Sequence, residues 1–244
     1  MLVHNLNPVL LDLGVLQIRY YGLFYVIGFL FSIWWMIRFS KLKKQVVYDL
    51  FFYLILGLVI GARLFHVIGH APYYLSNLFE IAAVWHGGMS FHGGLAGVVV
   101  FGWLYCRKRK INFWHVADIL VLPASLAMAL VRIGNFINAE LYGTLTNIPW
   151  CVKFPTADGC RHPSQLYESL YNIVNFGILC FLSKKEHRQG FIFSSFLFFY
   201  GLLRFVTEFV RFSEIRVFGI FSPTQILCFI MIIIGGIMMW ELKK

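Results

Sequence analysis

The chain has 244 residues, 59% hydrophobic and only 13% charged, with a formal charge of +10 at pH 7. Soluble domains carry roughly 25% charged residues, and here the apolar excess falls in blocks near twenty residues, long enough to cross about 30 Å of hydrocarbon. A soluble enzyme is excluded, which leaves an all-α integral membrane protein. It is read as one domain over residues 1–244, because no Pro/Gly/Ser-rich linker or low-complexity stretch divides it.

In chain order, residues 1–19 form a polar arm holding Asn5, Asn7, Asp12 and Arg19, expected on the outer face. The arm lacks the basic start and small-residue cleavage site of a signal peptide, so no processing is expected. Seven spans follow: Tyr20–Phe39, Leu50–Gly69, Ser90–Tyr105, Val116–Phe136, Leu166–Leu182, Phe191–Val210 and Phe221–Trp240. Residues 138–165 form an outer loop or head insertion. Its stretch NIPWCVKFPTADGC reads as a short outer hairpin or arm, loosely held.

Of 21 basic residues, thirteen cluster after spans one, three, five and seven, from Arg38 and Lys41 to Lys243 and Lys244. Five lie on the other side: Arg19, Lys153, Arg161, Arg211 and Arg216. The positive-inside rule then puts the N-terminus outside and the C-terminus in the cytoplasm. The basic clusters are topology signals and anionic-lipid contacts in a bilayer, and no nucleic-acid partner is expected.

The three remaining basic residues, Arg63, Arg132 and Arg204, fall inside spans or at their ends. A charge at the bilayer centre costs roughly 2.5–3.5 kcal/mol on insertion scales. Guanidiniums facing the bundle interior would form an anion site, whereas an arginine near a helix end can snorkel to the interface; for Arg63 the two readings stand level. The segment LVRIGNFINAELYG adds Asn135, Asn138 and Glu140 to Arg132, and Glu140 is expected to pair with that arginine. Tyr200, Arg204, Glu208 and Arg211 are spaced four, four and three apart and share a helix face. Arg204 and Glu208 can simply neutralise each other. Charges converging from separate spans point instead to a shared polar chamber.

His92 sits among Gly87, Gly88, Gly93 and Gly94, which permit close approach of backbones or a ligand and disfavour local helix. A re-entrant or broken element is expected there, with His92 as a base or hydrogen-bond donor. In RHPSQLYES, Ser164 can cap the next helix, and His162 and Glu168 can line the chamber mouth. Cys106, Cys151, Cys160, Cys180 and Cys228 include one pair sharing an outer loop, Cys151 and Cys160, as a disulfide or as free thiols. No cysteine pair has metal-ligand spacing.

YYGLFYVIGF, GGMSFHGGLAG, RIGNFINAELYG, RHPSQLYE and YGLLRFVTEFVR resemble, in order, the motifs of the bacterial prolipoprotein diacylglyceryl transferase family, from about Tyr20 to Arg211. Ala139 stands where that family often has glycine. The resemblance implies transfer of a diacylglyceryl group from phosphatidylglycerol to the lipobox cysteine of a prolipoprotein. It places the enzyme in the cytoplasmic (inner) membrane, its chamber toward the outer leaflet. Carried over, His92, Arg132, Arg204 and Glu208 are catalytic. Tyr21, Arg132, Asn135, Glu140, Tyr200 and Arg204 bind substrate, and Asn138 and Gly143, beside them in the same segment, are expected in the same site. No cofactor or metal is expected, since phosphate is already a workable leaving group. Two rival readings remain: an anion or lipid transporter using the same arginine chamber, and a membrane redox protein using His66 and His70.

Overall fold

The computed structural model describes residues 2–14, 17–212 and 221–243. Arg216 and Lys244, counted above among the loop charges, lie outside the described residues. Eight α-helices are present among the described residues: α1 (Tyr20–Phe39), α2 (Lys44–Gly69), α3 (Ala71–Ser76), α4 (Phe91–Arg109), α5 (Phe113–Ile137), α6 (Ser164–Leu182), α7 (Phe191–Thr207) and α8 (Pro223–Leu242). Short strands β1 (Leu2–Val3), β2 (Val9–Asp12), β3 (Gln17–Arg19) and β4 (Val152–Lys153) complete the set.

Each expected span falls on a helix. Among the described residues α1, α2, α5, α8 and α7 with its extension to Val210 are long and apolar enough to cross a membrane. The 19-residue helices α4 and α6 dilute their apolar length with polar groups. The last turn of α4 is Arg107, Lys108 and Arg109, and α6 buries Gln165, Glu168, Asn172 and Asn175 along one face.

The chain divides into two compact units, Met36–Val116 and Met1–Trp35 with Ala117–Lys244. In the first, α2 and α4 meet along Gly57, Gly61, Gly93 and Gly97. A Cβ at Gly61 would overlap the Gly93 carbonyl oxygen, and one at Gly97 would overlap that of Gly57. Glycines four apart on both helices let the backbones touch, the small-residue packing of helices in lipid. This overturns the broken element expected at His92. One unbroken helix starts at Phe91, capped by Ser90 Oγ, which accepts the Gly93 N–H at 3.4 Å.

Arg63 departs from both of its readings. Its guanidinium is 5% exposed and gives all five N–H groups to backbone carbonyls: Nε to Ile81, one terminal nitrogen to Gly87 and Gly88, the other to Glu80 and Ala83. It ties down the α3–α4 connection and has no donor left for a ligand anion.

In the other unit, Val121 and Leu122 of α5, Leu179 of α6, and Phe191 and Ile192 of α7 form an apolar cluster. Asp118 on α5 supplies the missing cap of α7. Its carboxylate accepts the N–H groups of Gly190 at 2.6 Å and Phe193 at 2.8 Å. The close seam between α7 and α8 requires Gly235, where a Cβ would lie 2.6 Å from the Phe198 nitrogen.

The 138–165 insertion forms a small extended layer. Gly143–Thr146 bonds to Val210 and Arg211 on one side and to Cys160–His162 on the other. Arg161 bridges Val152, and β4 pairs in parallel with β1, Leu2 opposite Val152. The hairpin reading holds here, but the segment is not loose. Ala139, Val152 and Phe154 make a buried cluster, and Cys151 and Cys160 are joined as a disulfide with Cα atoms 5.5 Å apart.

Candidate active site

Three segments of one unit deliver the charged side chains. The last turns of α5 carry Arg132 and Asn135, the first turns of α6 carry Gln165 and Glu168, and the end of α7 and the tight turn after it carry Arg204, Glu208 and Arg211. At the centre lies Glu168, 1% exposed. Arg132 Nε stands 2.7 Å from Glu168 Oε2, an ion-pair contact off the hydrogen-bonding direction. Arg211 donates to Oε1 at 2.9 Å, and Arg204 approaches the same oxygen at 3.4 Å. Arg204 also pairs with Glu208 at 2.7 Å, and the Ser222 hydroxyl donates to the other Glu208 oxygen at 2.9 Å.

Ser222 does two things at once. Its Oγ accepts the Gln225 N–H at 3.1 Å while the Gln225 side chain accepts the Ser222 N–H, a reciprocal cap that starts α8. The beginning of α8 is thereby fixed to Glu208. Three guanidiniums meet two carboxylates directly, one positive charge in excess, and a third carboxylate, Glu140, reaches the set only through Asn135. In a setting with little water such an excess favours an added anion.

The expected Arg132–Glu140 pair is corrected. Arg132 donates to Asn135 Oδ1 at 3.2 Å, and the Asn135 amide donates to Glu140 Oε1 at 2.7 Å, joined there by Asn138 at 3.2 Å. Glu140 thus reaches Arg132 through Asn135. The turn permitting this has Ala139 at φ 56° and Leu141 at φ 58°, left-handed conformations that L-residues resist. Glycine would adopt that φ freely. Gln165 pins the turn by donating to the Glu140 carbonyl at 2.6 Å. Ser164 is not the cap of α6, since Pro163 occupies that position; its hydroxyl donates to the Leu141 carbonyl at 3.0 Å.

Gly143 lies where a Cβ would crowd Val210 O at 2.5 Å and His162 Cβ at 2.7 Å, so it permits close passage of the chain beside Arg211. Tyr21, half-buried on α1, packs on Gly134 between Arg132 and Asn135, and its hydroxyl lies 3.2 Å from that of Tyr25. Tyr200, one turn before Arg204, meets the buried Tyr171 edge to face, ring centroids 5.8 Å apart. His92 belongs to the Met36–Val116 unit. There it is exposed on the first turn of α4, its ring 5.7 Å from that of Phe91.

From the sequence, Glu168 is expected at the mouth, and Arg211 is counted with the outer-side charges although its spacing puts it on the helix face of Arg204 and Glu208. The signal was nevertheless present: a carboxylate four residues into an apolar helix raises the same question as Arg132. Burial lowers the Arg211 pKa, opposed by Glu168, yet arginine remains a cation. Burial likewise lowers that of His162, whose Nδ1 faces the Tyr167 hydroxyl at 3.3 Å.

A cleft of about 420 Å³ opens beside the cluster, lined by Asn138, Glu140, Tyr142, Thr156, Arg211 and Phe212 among others. Apolar helices long enough to span a bilayer, with buried guanidiniums held on carboxylates, define a membrane protein built to handle a charged group. A family profile described as prolipoprotein diacylglyceryl transferase matches residues 8–241. A phosphatidylglycerol–prolipoprotein diacylglyceryl transferase of Geobacter sulfurreducens is 41% identical, over 95% of this chain and 93% of its own length. Relatives of the same name from Nitratidesulfovibrio vulgaris and Vibrio atlanticus are 39% and 41% identical, each over 98% of this chain and 94% and 92% of their own lengths. The chain belongs to the prolipoprotein diacylglyceryl transferase family.

Proposed function

We propose that this chain is a bacterial membrane enzyme that moves the diacylglyceryl group of phosphatidylglycerol onto a prolipoprotein cysteine. Family membership over nearly the whole chain supports this reading above the transporter and redox readings. The observation that carries the mechanism is the Glu168-centred cluster with its excess positive charge. The cysteine sulfur, as thiolate, attacks the diacylglycerol carbon that is esterified to the phosphate. The C–S bond forms, the C–O bond breaks, and the electron pair stays on the departing glycerol phosphate.

Arg132 and Arg204 stabilise the charge that grows on the phosphate, and Glu168 and Glu208 hold the guanidiniums ready for it. Preorganised donors of this kind act most strongly where water is scarce. Asn135, Asn138, Glu140 and Tyr21 bind the head group, Gly143 and Tyr200 complete the substrate site, and His92 takes the thiol proton. The protein is a single domain of seven spans in the inner membrane, N-terminus outside, with the 1–19 arm, the 138–165 head and the chamber on the outer-leaflet side. The charge distribution along the sequence supports that orientation.

The test is turnover in detergent micelles, which needs no compartments. Purified protein given phosphatidylglycerol and a lipobox peptide is expected to yield the thioether peptide and glycerol phosphate in equal amounts. Peptide left unmodified by folded protein would overturn the reading.

A further inference from the structure

We infer that Arg211 is a specificity-determining residue, which admits uncharged lipid head groups and rejects those ending in an ammonium. The inference rests on the transferase reading above. Arg211 spans two environments: its terminal nitrogen is 2.9 Å from Glu168 Oε1, within the cluster assigned to the phosphate, and the residue also lines the 420 Å³ cleft. The head group is bonded to that phosphate. A phosphate held beside Glu168 therefore directs its polar substituent toward the Arg211 wall.

The opposite lining fits a polyol. The exposed Glu140 offers acceptors for hydroxyl groups, as does Thr156. Glu140 alone would also attract an ammonium and would favour phosphatidylethanolamine, whose head ends in one. The Arg211 guanidinium offsets that pull, because like charges brought together cost binding. Position is fixed on both flanks: the backbone at Arg211 bridges Gly143, and Arg161 lies over the rings of Tyr142 and Phe212 at 5.0 and 5.6 Å. Replacing Arg211 with a neutral residue leaves the Glu140 carboxylate as the formal charge among the cleft residues named here, which turns the preference toward cations.

The experiment measures thioether formation on a lipobox peptide in micelles containing either phosphatidylglycerol or phosphatidylethanolamine. The wild type, Arg211→Gln, Arg211→Lys and Arg211→Gln with Glu140→Gln are compared by the ratio of kcat/KM for the two lipids. Arg211→Gln is expected to lower the phosphatidylglycerol preference about tenfold or more, equal to roughly 1.4 kcal/mol. Arg211→Lys keeps most of the preference, and the double variant recovers part of it. An unchanged ratio in Arg211→Gln, with an active wild type, would overturn the assignment alone; a wild type that transfers nothing would overturn the transferase reading with it. Should Arg211→Gln fail to fold, inhibition of the wild type decides. Glycerol phosphate is expected to inhibit about tenfold more strongly than phosphoethanolamine, and equal inhibition would overturn the inference.

Discussion

Glu168 shows how one side chain organises others. A lone carboxylate at 1% exposure would carry a heavy desolvation cost, and three guanidiniums at 2.7–3.4 Å offset it. Removing its charge should leave those cations mutually repelling. Glu168→Gln is expected to lower transfer by roughly 10²-fold and to destabilise the protein by about 3–5 kcal/mol, read from turnover and from thermal unfolding in detergent. His92 makes the opposite forecast: His92→Gln should unfold normally, because the ring is exposed, yet lose rate and change the pH profile. A rate and profile equal to wild type would remove it as the base. At Ala139, with φ 56°, a glycine relieves about 1–2 kcal/mol of backbone strain but loses a buried methyl and gains chain entropy. Ala139→Gly should therefore change stability by less than about 1 kcal/mol, whereas Ala139→Val, β-branched at positive φ, should lower the melting temperature clearly.

At the scale of elements, the α2–α4 seam depends on absent side chains. Gly97→Leu would drive a branched side chain into the Gly57 backbone, and a loss of about 1–3 kcal/mol or more is expected in thermal unfolding. The helices themselves were legible because apolar blocks of span length carry a strong signal. Tyr20–Phe39 was read to the residue, while other ends moved where charged turns continue a helix past its apolar stretch, as at Lys44 and Arg109. The glycine run at His92 was misread for a physical reason. Helix propensity describes an isolated helix, and here a partner helix rewards close backbone approach by more than the propensity lost. Partner assignment among the charges was similarly hidden. Sequence spacing linked Arg132 to Glu140 within one motif, but the buried carboxylate that meets it comes from α6, a contact no local pattern encodes. What the residues did yield was most of the inventory: costly polar groups in or beside the spans, of which Arg132, Asn135, Glu140, Arg204 and Glu208 converge in one unit, joined there by Glu168 and Arg211.

For the whole molecule, stability has a pH dependence with a definite sign. His162 lies outside the spans, and burial lowers its pKa from 6.5, so the unfolded chain binds a proton the fold resists. Native stability should fall as pH drops below 6.5 and be insensitive to this group above it; His162→Gln should flatten that slope. Reducing the Cys151–Cys160 bridge, which closes a loop of sequence separation 9, should cost about 2–3 kcal/mol and loosen the head before the helices. The function proposed for the molecule depends above all on charge held in a fixed geometry. The most direct measurement is the turnover of Arg132→Lys in detergent, with folding checked by thermal unfolding. Lysine keeps the positive charge but loses the planar fork that faces both Glu168 and Asn135. A folded protein is expected, its transfer lower by roughly 10²–10³-fold. Transfer within about twofold of wild type would contradict that dependence on geometry.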